Sequence, residues 1–246
     1  MQRFVVQRFV VLRFIVLRFI ALVGILAGMP LFGQAPASIG NFRASTGQFI
    51  LDLNHTFNPA QSTTFNFVGY VSGDRTIVGD WNGDGRSKYG IYRNGTFYLD
   101  YNGNGSWDGP AIDRQYTFTG YAAGDIPVLG DWTGDKKTKI GVYRDGFWYL
   151  DLNGNGVWDG SSVDRSSAFG GSHTTYIPVV GDWNGDGRAK IGYFKSGTWL
   201  LDYNGNGAWD GASVDRQYAF GGTAGDQPVT GDWTGNGKSK IGTPSR

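Results

Sequence analysis

The stretch PVVGDWNGDGRAKIGYFKSGTWLLDYNGNGAWDG, Pro178–Gly211, decides the fold. It holds short runs of aromatic and β-branched residues broken by NG, DG and SG, the pattern of strands joined by tight turns. Worked outward, it proves to be one copy of a repeat. GDW stands at Gly79–Trp81, Gly130–Trp132, Gly181–Trp183 and Gly231–Trp233, with spacings of 51, 51 and 50 residues. NGNG begins at Asn102, Asn153 and Asn204. IGNFRASTGQFILDLN (Ile39–Asn54) matches IGVYRDGFWYLDLN (Ile140–Asn153), so the repeat reaches back to Ile39. Each unit predicts four strands; in the third they are IPVVGDW (Ile177–Trp183), KIGYFK (Lys190–Lys195), TWLLDY (Thr198–Tyr203) and DRQYAF (Asp215–Phe220). Asp145-Gly146 supplies the positive φ angles of a two-residue hairpin turn. No sustained 3.6-residue apolar period follows Ile39, so helix content is expected to be near nil.

Four strands in about fifty residues is the size of one β-propeller blade. The expected fold is all-β: a β-propeller built from four repeats of about fifty residues, with four antiparallel strands each, over residues 38–246. One such sheet cannot cover both its faces, so successive sheets must stack. The repeat starts at a second strand and ends with a first and a second one. The last first strand could complete the N-terminal sheet and hide its edge, which would leave Lys240–Arg246 as a duplicate of Ile39–Arg43; a four-bladed ring, a dimer of half-rings and an open array all stay open.

Composition narrows the function classes. The 246 residues include 41 glycines and no cysteine, and every one of the 21 acidic residues is aspartate. No disulfide framework or thiolate metal site is available, and a formal charge of +1 gives no footprint for nucleic acid. Residues 1–37 carry Arg3, Arg8, Arg13 and Arg18, an uncharged apolar run from Phe19 to Phe32, and small residues at Ala35 and Ala37. This is the pattern of a secretory signal peptide cleaved after Ala37; an uncleaved anchor would need about 20 apolar residues. The expected location is secreted or cell-surface, with no membrane segment in the mature form. Removing the four arginines leaves 18 basic against 21 acidic residues, so +1 becomes −3.

Two loops per unit place acidic and amide side chains at alternate positions around a glycine. In the NGNG loop, Asp100, Asn102, Asn104 and Asp108 occupy positions 1, 3, 5 and 9. The copies are Asp151, Asn153, Asn155 and Asp159, then Asp202, Asn204, Asn206 and Asp210. Oxygen ligands at this spacing, with glycine at position 6, suit Ca²⁺; two carboxylates imply a weak site, about 10⁻⁴ to 10⁻³ M. The alternative is plain turn chemistry, since Asn, Asp and Gly tolerate left-handed backbone. The GDW loop offers Asp80, Asn82 and Asp84 but has lysine, Lys88, at position 9, repeated as Lys139, Lys190 and Lys240. An ammonium there neutralises the carboxylates and repels a metal, which predicts salt-bridged turns. Asp80 with Asp84, and Asp182 with Asp186, are the two pairs that retain a possible metal set.

Pro178–Gly211 resembles the FG-GAP and VCBS-type repeat proteins, whose blades carry calcium loops like those of the integrin α-subunit propeller. The resemblance spans Ile39 to Gly242 and implies an extracellular, Ca²⁺-binding β-propeller. The position-9 lysine departs from it where that family has a ligand aspartate.

Catalytic constellations are scarce. His55 and His173 have no patterned serine partner, and the pairs Asp113-Arg114, Asp164-Arg165 and Asp215-Arg216 read as structural, so no enzyme is expected. The leading expectation is a calcium-binding adhesion module for extracellular protein or carbohydrate, with Trp107, Trp158 and Trp209 as candidate ligand contacts; packing is their other reading. The competing one is a structural surface protein or filament subunit that self-associates by strand addition.

Overall fold

The computed structural model describes residues 39–43, 45–52, 58, 60, 62–66, 70–120, 122–171 and 175–243. The candidate signal segment 1–37, His55 and His173 lie outside them. The described residues form an all-β structure of 17 strands in five antiparallel sheets. The N-terminal sheet is β1 (Ile39–Arg43), β2 (Gln48–Asp52) and β3 (Thr63–Asn66). Three four-stranded meanders follow. The first is β4 (Arg75–Gly79), β5 (Lys88–Arg93), β6 (Thr96–Leu99) and β7 (Arg114–Thr117). The second is β8 (Ile126–Gly130), β9 (Lys139–Arg144), β10 (Phe147–Leu150) and β11 (Arg165–Ala168). The third is β12 (Ile177–Gly181), β13 (Lys190–Lys195), β14 (Thr198–Leu201) and β15 (Arg216–Ala219). The last pair is β16 (Val229–Gly231) and β17 (Lys240–Gly242).

Each β-hairpin turns as its sequence dictates. Asp145 and Gly146 sit at φ of 44° and 95°, the left-handed values of a two-residue turn whose twist matches the strands it joins. The resulting register sets Trp148 opposite Tyr143, and both side chains are fully buried.

The sheets stack face against face, as their two-sided apolar patterning requires. Ile77, Tyr92, Phe97, Leu99 and Phe118 of the first meander pack on Ile140 and Val142 of the second. Val128, Tyr143, Trp148 and Phe169 pack in the same way on Ile191 of the third, and Phe49 of β2 packs on Tyr89 and Ile91 of β5. Burial of one such large side chain contributes about 1.5–3 kcal/mol.

A second seam runs through the GDW turns. The backbone N–H of Thr138 donates to the Asp80 carbonyl at 2.8 Å, Ala189 to Asp131 at 2.7 Å and Ser239 to Asp182 at 2.8 Å. Two of these residues return the bond, their hydroxyls accepting from the Asp80 and Asp182 N–H groups at 3.0 Å. The glycine of GDW makes this approach possible. A Cβ at Gly130 would stand 2.6 Å from both the Trp132 ring and the Ala189 Cβ. Gly130→Ala is expected to cost about 2 kcal/mol by overpacking, measured by urea denaturation.

Completion of the N-terminal sheet by the last first strand does not occur among the described residues. β16 pairs with β17, Val229 opposite Gly242, and the described partner of β1 is β2. Only residues 232–239 separate β16 from β17, so their pairing closes a short loop, which costs less entropy than reaching back to Ile39.

Candidate functional site

The meander places the GDW loop (β4 to β5) and the NGNG loop (β6 to β7) at the same end of each sheet. They touch: Asn82 Nδ2 donates to the Tyr101 carbonyl at 3.4 Å.

In the GDW loop the position-1 aspartate organises the turn. Asp182 Oδ1 accepts from Gly185 N–H and Asp186 N–H, and Oδ2 accepts from Gly187 N–H, at 2.8 to 3.2 Å. The lysine ammonium fills the centre. Lys88 Nζ lies 3.2 Å from Asp80 Oδ1, 2.7 Å from Asn82 Oδ1, 2.6 Å from Asp84 Oδ1 and 2.9 Å from the Arg86 carbonyl. Those oxygens come from positions 1, 3, 5 and 7, the set a hard cation would take from such a loop. Lys190 repeats the arrangement with Asp182, Asp186 and the Arg188 carbonyl, and Lys139 bonds Thr133 and Asp135. Burial pushes the Asp186 carboxyl up, but the Lys190 hydrogen bond, the Arg188 N–H and the Lys190 charge together hold it below its ordinary range. The cation of this loop is therefore covalent, and the pairs Asp80–Asp84 and Asp182–Asp186 serve it.

The NGNG loop has the same backbone and no lysine. Asp100 is fully buried and accepts from Gly103, Asn104 and Gly105 N–H, with Gly105 at φ 83°. Asn102 and Asn104 both turn Nδ2 toward Asp108 Oδ2, at 2.9 and 2.5 Å. Asn153 and Asn155 do so to Asp159, and Asn204 and Asn206 to Asp210. Burial pushes the Asp202 carboxyl up despite the Gly207 and Gly205 N–H bonds, and the charge of Asp215 adds to the rise; Asp100 and Asp151 follow suit.

The second aspartate of that environment has a plain function. Asp113 Oδ1 accepts from Tyr101 N–H at 2.9 Å and Oδ2 from Asp108 N–H at 2.7 Å, clamping the two ends of the loop together. Asp164 and Asp215 do the same. Their arginines turn elsewhere: Arg114 lies over the Tyr101 ring at 4.3 Å and Arg216 over Tyr203 at 4.1 Å.

At positions 3, 5 and 9 two amide N–H groups converge on one carboxylate, the Asn102 and Asn104 Oδ1 atoms accept from Asn104 and Ser106 N–H, and position 1 anchors the same turn. Among the described residues no three His, Cys, Asp or Glu side chains come together, because two of the four groups here are amides. A hard cation taken by this loop would have to displace two amide N–H bonds from Asp108, and most of the Asp100 lone pairs are already engaged.

Of the candidate tryptophans, Trp107 packs edge-on against Tyr98 at 5.2 Å, and Trp158 against Tyr149 at 5.3 Å and Phe118 at 6.0 Å. Both are half-buried, and Trp209 is exposed. What sequence reading missed is a cleft between sheets. At the first-to-second boundary, Trp81, Tyr101, Tyr116, Lys137, Lys139 and Asn153 enclose about 140 Å³. One unit later Trp132, Arg165, Arg188, Lys190 and Asn204 enclose about 70 Å³. Trp81 and Trp132, Lys137 and Arg188, and Asn153 and Asn204 are repeat-equivalent. The cleft joins the tryptophan of one unit to both loops of the next, a meeting that spacing alone does not reveal.

No protein-family model matches the chain, and no curated protein matches it. Among solved structures it is similar to a lectin of Agrocybe aegerita, described as recognising non-reducing terminal N-acetylglucosamine. The TM-score is 0.47 and the identity 18%, over 83% of this chain and 59% of that one.

Proposed function

We propose that the protein is a non-catalytic, secreted or cell-surface binding module of β-propeller type that takes a carbohydrate end group in the clefts between successive sheets. The observation that carries this reading is the recurrence of a cleft at two successive boundaries whose tryptophan, two basic residues and asparagine are repeat-equivalent; Tyr101 and Tyr116 line the first, and Leu152 and Ser167 stand at their places in the next unit. An aromatic wall of Trp81, Tyr101 and Tyr116 suits the apolar face of a sugar ring. The Asn153 amide and the Lys137 ammonium suit its hydroxyls and any acidic substituent. At about 140 Å³ the cleft is smaller than the 300–1,000 Å³ of sites for drug-sized ligands, which points to a terminal sugar rather than a long chain. Weak Ca²⁺ binding by Asp100, Asn102, Asn104 and Asp108 and by their copies belongs to the same reading; when bound, the ion would stiffen the loop beside the cleft. An extracellular protein is the other partner class, through the same end of the sheets.

The test is a glycan array followed by titration calorimetry. Binding is expected to concentrate on one class of terminal sugar. Asn153→Ala combined with Lys137→Ala is expected to weaken it at least about tenfold, the worth of one or two lost hydrogen bonds. Glycan binding that leaves the double variant unaffected contradicts the assignment to this cleft, and no binding to any glycan contradicts the carbohydrate reading.

A further inference from the structure

The two clefts between sheets share a plan but not a wall chemistry. In the first, Arg114 stays within its own unit: its guanidinium lies over the Tyr101 ring at 4.3 Å and donates to the Asp113 carbonyl at 2.9 Å. Tyr116 lies against the NGNG loop of the next unit, where a Cβ at Gly156 would run into its ring. Arg216 repeats the inward arrangement with the Tyr203 ring and the Asp215 carbonyl. Arg165 is the exception. Leu152 and Ser167 stand at the places of Tyr101 and Tyr116, so position 152 offers it no ring. It reaches across the boundary instead, and its Nη1 donates to the Gly205 carbonyl of the next NGNG loop at 2.8 Å. A guanidinium thus enters the second cleft where the first has two phenol rings.

Charge follows the same change. The second cleft is lined by Arg165, Arg188 and Lys190 against one carboxylate, Asp186, whereas the first sets Lys137 and Lys139 against Asp135 and Asp151. Lys190 and Asp186 bond each other at 2.6 Å, which leaves the two guanidiniums as the uncompensated pair. Arg188 is exposed, and the ion pairs of its loop among the described residues belong to Lys190. Of the five N–H donors of an arginine, Arg165 engages one among the described residues. A cleft of about 70 Å³ has room for about two waters at ~30 Å³ each, so it admits a charged substituent and not a whole sugar ring. We propose that this cleft is an oxyanion site: Arg165 and Arg188 hold a sulfate, phosphate or carboxylate group, which makes the saccharide bound at this boundary an acidic one. Planar N–H pairs suit such groups, which they can grip through two parallel bonds. The preference for an oxyanion stands on the two guanidiniums; that a sugar carries it rests on the carbohydrate reading above.

The experiment titrates sodium sulfate, sodium phosphate, glucose sulfate, glucuronate and glucose into the isotope-labelled protein at low ionic strength, with binding read by NMR at the Gly205 N–H and the Arg165 side chain. The free anions and both acidic sugars are expected to shift these signals. The acidic sugars should bind at least about tenfold tighter than glucose, the contribution of one charge-assisted hydrogen bond, and should weaken as salt is raised. Arg188→Gln should cost about tenfold and, at an exposed position, leave the melting temperature unchanged. Leu152→Tyr keeps every charge but gives Arg165 the ring that Arg114 has, and should weaken the acidic sugars to a similar degree. Glucose binding at these signals as tightly as the acidic sugars, no shift by any oxyanion, or either variant binding the acidic sugars like the parent overturns the proposal; neutral sugars bound in the first cleft would then still uphold the carbohydrate reading. Sulfate shifting these signals, with glucose sulfate no tighter than sulfate, upholds the oxyanion site and contradicts the carbohydrate reading at this cleft.

Discussion

Lys190→Met is expected to lower stability by about 3 kcal/mol, toward the low end of what breaking a buried ion pair costs, and the melting temperature by about 9 °C for a chain of this size. The Lys190 side chain is 3% exposed and Asp182 4%, while Asp186 is 45% exposed and can be rehydrated. The loss is therefore dominated by Asp182, which keeps its three backbone N–H donors but loses its counter-ion. Lys240→Met is the internal control. That ammonium touches only uncharged oxygens, of Thr234, Asn236 and Lys238, at 3.1 to 3.3 Å, so a change within about 0.5 kcal/mol is expected. Acid acts on the same pair. Because the folded-state pKa of Asp186 lies below its ordinary value, the stabilisation from that group is fully present above the ordinary carboxylate range. It is lost as the pH falls through the depressed value. Lys190→Met should reduce this acid-sensitive component to the part held by the Arg188 N–H and Asn184, and an equally large loss of stability on Lys240→Met would contradict the ammonium-centred loop.

Much of the fold is written in the local sequence. The hairpin turn at Asp145-Gly146, the span Lys190–Lys195 of β13, and the four-strand unit all follow from turn residues and alternation. These are short-range decisions, made within a dozen residues. The position-9 lysine was legible for the same reason: it lies eight residues from the carboxylate it neutralises. What lay beyond reach was contact between units. Nothing local to Thr138 says that it closes on Asp80, 58 residues away, or that Trp81 borders a cleft finished by Asn153. The pairing of β16 with β17 shows the lower entropy of a short loop outweighing burial of an open edge. Asp113 reads as structural from the sequence, but its partners do not: backbone N–H groups of Tyr101 and Asp108 claim both its oxygens, and Arg114 lies over an aromatic ring. A carboxylate recurring at one place in three successive loops was the available signal for such a clamp.

Weak Ca²⁺ binding by the NGNG loops, as proposed above, carries the second large expected effect. With a dissociation constant of about 1 mM, 10 mM Ca²⁺ is expected to stabilise the folded state by about 1.4 kcal/mol per loop. Three loops acting independently give about 4 kcal/mol. At about 2–4 °C per kcal/mol, that is a rise in melting temperature of about 10 °C. Asp108→Ala with Asp159→Ala and Asp210→Ala removes the only solvent-facing carboxylate of each loop and should abolish the rise. The buried Asp100, Asp151 and Asp202, which hold the turns, remain in place. Mg²⁺, which dehydrates reluctantly and demands octahedral geometry, should produce a much smaller shift. The most direct measurement is thus a thermal melt of the purified protein with 10 mM Ca²⁺ against the same protein in chelator: the account predicts a rise of about 10 °C that the triple variant loses, and a midpoint unchanged by calcium would contradict it.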